Sequence, residues 1–164
     1  MIKVQLQDKG SDVETPWAED LGPAGVDGAR RVRLANVPFL HAKPTYEDVI
    51  VVTPNPDGFL TWDADGVAWE QILTRIDEDA GRWVMIVDYT PTVHSDAQAV
   101  FSALDVAAEE IDVCVEGCSG PREGKPGRAY LAVPAGMTAE TVMAHLAEQR
   151  RLAALTLVHP RDDE

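Results

Sequence analysis

"RWVMIVDY", residues 82–89, and "SDAQAVFSALDVAAEEI", residues 95–111, are close neighbours in the chain but are built on different periods. The first is a run of apolar residues of the length of one buried strand. The second places Ala97, Val100, Phe101, Leu104, Ala107, Ala108 and Ile111 on one stripe at helical spacing. That stripe predicts a helix packed along its apolar face. Ser95, with Gln98 three residues later, offers a capping-box start.

Reading outward toward the C-terminus, "DVCVEG" is a strand, and "RAYLAVP" is a second strand after a loop rich in Gly and Pro. "TAETVMAHLAEQR" predicts a helix opened by Thr138, with Val142, Met143 and Leu146 facing inward and Arg150 and Arg151 near its negative pole. "LAALTLVHP" closes the chain as a strand. From Arg82 the order is therefore β-α-β-β-α-β, the ferredoxin-like split arrangement.

Reading outward toward the N-terminus, the periods become those of strands. Ile2 to Leu6 alternates apolar and polar residues, and a short strand is expected within Val13 to Leu21. In "RRVRLANV", Val32 and Leu34 face one way and Arg31 and Arg33 the other, while "DVIVV" is a continuous run of β-formers. "GVAWEQILTRI" alternates imperfectly. Turn formers, among them Pro54, Pro56, Gly58 and "DADG", separate these runs, as expected of a bent antiparallel sheet or small barrel. "DEDAG", residues 77–81, is the expected junction. The fold expected is α+β: a small β domain over residues 1–80, then a ferredoxin-like βαββαβ domain over residues 81–164.

Charge is the next informative quantity. The chain holds 28 acids against 14 Lys and Arg, a net charge of −14 over 164 residues. From Glu47 to Glu116 there are 16 acids and only two bases, Arg75 and Arg82, so the whole imbalance sits in that window. Such a surface argues against direct contact with nucleic acid, whose phosphates need Lys and Arg. It serves solubility, and it also suits a basic protein partner whose association it would speed. No apolar run approaches the roughly 18 residues of a membrane span, and the N-terminus lacks the apolar stretch of a signal peptide. Two cysteines are too few for a disulfide framework. A cytoplasmic bacterial protein is the expectation.

Few constellations point to chemistry. His94, Ser95 and Asp96 are the residue types of a hydrolase triad, but adjacent residues rarely aim at one another, and Ser95 is better used as a helix cap. Cys114 and Cys118 lack two further zinc ligands and read as small buried residues. "DADG" has no Glu six residues past its Gly and reads as a hairpin turn, not a calcium loop. "SGPREGKPGR", residues 119–128, leads into a strand where a phosphate loop would open a helix. Trp17, Trp62, Trp69 and Trp83 read as core or packing residues, since an exposed Trp would mark a binding hot spot. No metal and no cofactor is expected.

"TPWAEDLG" at 15–22, "RVRLANVPF" at 31–39 and "EDVIVV" at 47–52, taken in that order, resemble the bacterial family catalogued as domain of unknown function 4265. Trp17, Glu19, Asn36, Pro38, Phe39, Asp48 and Val49 carry the likeness, and Glu47 stands where the family usually has Gly. The resemblance covers roughly the first 90 residues closely and implies no catalytic residue. It makes "NVPFLHAKPTYEDVIVV", residues 36–52, an architectural crossing: Pro38 ends one strand, Pro44 and Tyr46 shape the passage, and Asp48 caps the turn into the next strand.

The function expected is non-enzymatic: an acidic binding protein, most concretely an immunity protein that covers the basic active-site cleft of a nuclease-type toxin. The residues expected to meet the partner are Glu70, Asp77, Glu78, Asp79, Asp105, Glu109, Glu110 and Asp112. Glu109, Glu110 and Asp112 crowd the negative pole of the first helix, an arrangement that costs a few tenths of a kcal/mol per charge and suits a partner. The alternative is a ferredoxin-like sensor or regulatory module that binds a small molecule. An enzyme assembled from His41, His94 and nearby acids is the third.

Overall fold

The computed structural model describes residues 1–7, 13–26, 28–63 and 74–160. The chain divides into two compact units, Met1–Gly81 and Arg82–Glu164.

The first unit is a strongly curved sheet. Its strands are β1 (Ile2–Lys3), β2 (Gln5–Gln7), β3 (Trp17–Pro23), β4 (Arg30–Leu34), β5 (Val49–Pro54), β6 (Leu60–Asp63) and β7 (Arg75–Glu78). The order is β1-β3-β4-β5-β6-β2, with β7 also pairing β5. Because β1 and β2 are separated only by Val4, the two ends of this path are one stretch of chain, and the sheet nearly closes into a barrel. β1 runs antiparallel to β3, while β2 runs parallel to β6.

The near-closure is the small barrel of the two forms expected, and parity explains its one parallel pair. With β1 and β2 counted as one strand, five strands go round. Each neighbour reverses direction from β3 to β6, so a closing strand that opposes β3 must run with β6.

Alternation then fills the interior. Val4, Leu6, Ala18, Val32, Leu34, Ile50, Val52 and Trp62 form its buried cluster, the inward phase read from Ile2–Leu6 and from Val32 and Leu34. Each buried Val, Leu or Ile among them stabilises the unit by about 1.5–3 kcal/mol before entropy is counted.

The family-like residues are structural ties. Asn36 Oδ1 accepts from the Trp17 amide at 2.8 Å, and Glu14 accepts from the amides of Phe39 at 2.6 Å and Leu40 at 2.9 Å. These bonds lash the 36–48 crossing to the edge of the sheet. At its end the Asp48 side chain is fully buried. It accepts from the Thr45 amide at 2.8 Å and from the Ala80 amide at 2.8 Å, with the Lys43 ammonium 3.3 Å away. Burial pushes the Asp48 carboxyl up, and the two amides and Lys43 pull it back. Asp48 therefore anchors both the crossing and the segment leaving β7.

Two tryptophans differ in fate. Trp62 is buried, whereas Trp17 is 47% exposed with the Lys3 ammonium 5.0 Å from its ring centre. Trp17 faces outward because β3 is wet on that face and Ala18 takes the inward position. Trp69, most of the "GVAWEQILTRI" run and all of the "DADG" turn but Asp63 lie outside the described residues.

The second unit has β8 (Trp83–Pro91), α1 (Ala97–Glu109), β9 (Cys114–Ser119), β10 (Gly127–Val133), α2 (Ala139–Leu146), a 3-10 turn (Ala147–Arg151) and β11 (Ala153–Pro160). The sheet order is β11-β8-β10-β9 and every pair is antiparallel. This is the β-α-β-β-α-β arrangement read from the sequence. Met85, Val87, Val115 and Leu131 from the sheet meet Val100 and Leu104 of α1 and Val142 and Leu146 of α2.

Asp96, not Ser95, caps α1. Its side chain accepts from the Ala99 amide at 2.7 Å, while Ser95 Oγ lies 3.0 Å from Thr92 Oγ1. Thr138 caps α2. "SGPREGKPGR" is the β9–β10 connection, pinned by paired amides and carbonyls between Arg122 and Lys125.

Candidate functional site

The eight acids expected to face a partner fall into separate places. Glu70 lies outside the described residues. Asp77 and Glu78 end β7 and Asp79 follows, all in the first unit. Asp105 and Glu109 sit on α1, and Glu110 and Asp112 follow along its C-terminal end, all in the second unit.

The first group is already met by cations. Arg31 reaches across from β4 to Asp77 at 2.6 Å and to Glu78, and Arg75 donates to Asp77 at 3.1 and 3.0 Å. Lys43 meets Asp79 at 2.6 Å. Burial acts to raise the Asp77 carboxyl, but the hydrogen bonds from Arg75 and Arg31 outweigh it and hold the group below the usual carboxylate range. Lys43, then the Gly81 amide, hold Asp79 low as well. These pairs are largely in solvent, where an ion pair contributes little to stability. They do mean that this end of β7 presents alternating signs, not a bare acidic surface.

The partners could not be read from the sequence, since Arg31 meets β7 only because both strands flank β5. The signal that was legible is the alternation that put Arg31 and Arg33 on the wet face.

The second group is mixed. Beyond α1, Asp112 takes φ of 59° while the amides of Asp112 and Val113 return to the carbonyls of Glu109 and Ala108. That is the Schellman closure, in which Gly is the usual left-handed residue and Asp is among the tolerated ones. Arg82, whose side chain is almost wholly buried, donates to the Asp112 carbonyl at 2.6 Å and to both carboxylate oxygens at 3.1 Å. The acid at the negative pole is thus balanced by a cation 30 residues earlier. Glu110 Oε2 lies 3.2 Å from His145 Nε2, which also lies 2.8 Å from the Ala107 carbonyl.

Asp105 and Glu109 make no ion pair or side-chain hydrogen bond among the described residues. Between them, Val106 stands 60% exposed. A shallow concavity of about 360 Å³, lined by Ser102, Ala103, Val106, Glu110 and Gln149, covers this outward face. An exposed apolar side chain beside Glu110, on the helix that also carries Asp105 and Glu109, is the second unit's acidic surface.

The other residue sets weighed for chemistry are dispersed. His41 is buried in the first unit, its ring edge-on to Trp62 with centroids 6.4 Å apart, and its Nε2 has no partner among the described residues. His94 is exposed at the turn before α1. Cys114 is half-buried. Among the described residues no three His, Cys, Asp or Glu side chains group so as to hold a metal ion, and no helix is long and apolar enough to cross a membrane.

No family model matches the chain, and no curated protein matches it. Among solved structures, a hypothetical protein from Neisseria gonorrhoeae is similar, with a TM-score of 0.46 and 11% identity over 98% of this chain and 96% of that one.

Proposed function

We propose that the protein is a non-enzymatic binding protein for a basic protein partner, in its most concrete form an immunity protein that covers the cleft of a nuclease-type toxin. One observation carries this reading. α1 holds Asp105 and Glu109, neither with a side-chain partner among the described residues, and an exposed Val106, within a chain of net charge −14. Unpaired charge speeds encounter with an opposite surface, and a central apolar contact excludes water once the two have met. The β7 acids, engaged by Arg31, Arg75 and Lys43, contribute to the net field more than to contact. The family resemblance belongs to the same proposal: Glu47 takes φ of 67° where that family carries Gly, and only Gly adopts that conformation freely.

The test is capture from the source organism's lysate and secreted fraction at low salt, repeated at about 0.5 M salt, where screening falls to a few ångströms. The expected result is a basic protein retained at low salt, released at high salt, and inhibited by an equimolar amount of this chain. Retention of nothing, or a captured protein whose activity is unchanged, overturns the reading. A small-molecule regulatory module is the second reading, favoured by the cavity between α1 and β9.

A further inference from the structure

The β9–β10 connection turns tightly at Glu123 and Gly124, with Gly124 in the left-handed region at φ of 73°. On either side of that turn the Arg122 amide donates to the Lys125 carbonyl at 3.1 Å, and the Lys125 amide donates to the Arg122 carbonyl at 2.9 Å. Residues paired in this way project from the same face of the ribbon, with Cβ atoms about 5 Å apart. The hairpin therefore holds a guanidinium-bearing and an ammonium-bearing side chain next to one another, which is unfavourable by itself. Two prolines brace the arrangement. Pro121, before Arg122, fixes its own φ, and Pro126 holds Lys125 extended.

Neither cation is answered. Both are exposed, and neither has an acid partner among the described residues, although Arg30, Arg31, Arg33, Arg75, Arg82 and Arg128 each meet one. In a chain with 28 acids and 14 bases, two unanswered bases held together are the exception. There is also room beside them for a guest. With Gly127 opposite Tyr89, the hairpin stands next to the end of β8. A concavity of about 430 Å³ opens there, walled by Pro91, Pro121 and Pro126 and lined by Arg122 and Lys125. Glu123 lines it too, and its charge works against an anion.

We infer that this hairpin binds a small phosphate, as the free ion or as a monoester. A guanidinium fork takes two oxygens and an ammonium takes a third. A phosphate monoester offers three oxygens and close to two charges, whereas a carboxylate offers two oxygens and one charge. The proline walls suit the compact apolar remainder of an ester. A nucleic acid would lay many phosphates along a chain of net charge −14, a repulsion that a small phosphate largely escapes. The assignment does not depend on what α1 meets.

Titration of the ¹⁵N-labelled full chain at about pH 7.5, where a phosphate ester is doubly charged, tests it by amide shifts. The probes are phenyl phosphate, inorganic phosphate, benzoate and phenol. Phenyl phosphate is expected to saturate at about 1 mM or below, with shifts confined to Thr90, Arg122, Glu123, Gly124, Lys125 and Gly127. Benzoate should bind about tenfold more weakly, and phenol should not saturate. Arg122→Gln and Lys125→Gln, both at exposed positions, should each weaken phenyl phosphate about tenfold, while Glu123→Gln should tighten it about twofold. Tighter binding of phenyl phosphate than of inorganic phosphate assigns the ester, and equal binding assigns the free ion. No saturation by either phosphate, equal binding of benzoate, or unchanged binding in both basic-residue variants overturns the site.

Discussion

Glu47 shows how one residue can work against its own position. Its φ of 67° lies in the left-handed region, and its amide is held to the Leu34 carbonyl at 2.9 Å, so the turn cannot relax away from it. For a residue with a Cβ that conformation costs about 1–2 kcal/mol. Gly would remove the strain but lose more freedom on folding. Glu47→Gly is therefore expected to raise stability by about 0.5–1 kcal/mol, seen as a higher urea midpoint at unchanged slope. No change, or a loss, would show that the Glu47 side chain repays its backbone. Asp112, at φ of 59°, is the contrasting case. Its carboxylate answers Arg82, so a glycine there would relieve the backbone but take two carboxylate acceptors from a buried cation. The sequence marked Glu47 as unusual only through the family pattern, and it marked Asp112 as misplaced charge. The compensating Arg82 was invisible, because nothing local links residues 82 and 112.

At the scale of elements, the helices and the strands of the second unit were legible, since each carries its own period. Boundaries were less so. Ser95 and Asp96 are both good caps one residue apart, and only the placement of the buried stripe at Val100 and Leu104 decides between them. Asp96→Ala is expected to cost about 1 kcal/mol and Ser95→Ala well under half of that, by thermal or urea unfolding.

The first unit was legible as strands of a bent sheet or small barrel but not in the direction of its closing pair, because the parallel β2–β6 pair depends on a strand count that spans the whole unit. Its ion pairs also set a pH response. Asp77 and Asp79 are held below their usual range, by Arg75 and Arg31 and by Lys43 respectively. Their contribution is complete above the unfolded value near 4 and fades as pH falls through the lower folded values. Buried Asp48, shifted upward, runs the other way and takes up its proton first. Urea unfolding from about pH 5 down to about pH 3 should show a smaller loss of stability for Asp77→Asn than for the unaltered chain. An identical loss would place the acid sensitivity elsewhere.

For the molecule as a whole, the acidic window read from the sequence is a sum, and a sum does not say where charge is free. The structure separates acids engaged by Arg31, Arg75, Lys43 and Arg82 from Asp105 and Glu109, which have no cation among the described residues. If only net charge steers a basic partner, any two acids are equivalent. If contact forms on α1, position matters. Asp105→Asn with Glu109→Gln and Asp77→Asn with Glu78→Gln change the net charge equally, so each pair is the other's control. With a partner captured at low salt, the α1 pair is expected to slow association about three- to tenfold and to flatten its salt dependence, and the β7 pair about twofold or less. Stopped-flow or surface-binding kinetics at two salt concentrations would measure both. Equal slowing by the two pairs would leave the overall charge as the cause and remove α1 as the contact face. A greater effect from the β7 pair would move the face to the first unit, where breaking the Arg31 bonds would then have exposed a cation to the partner.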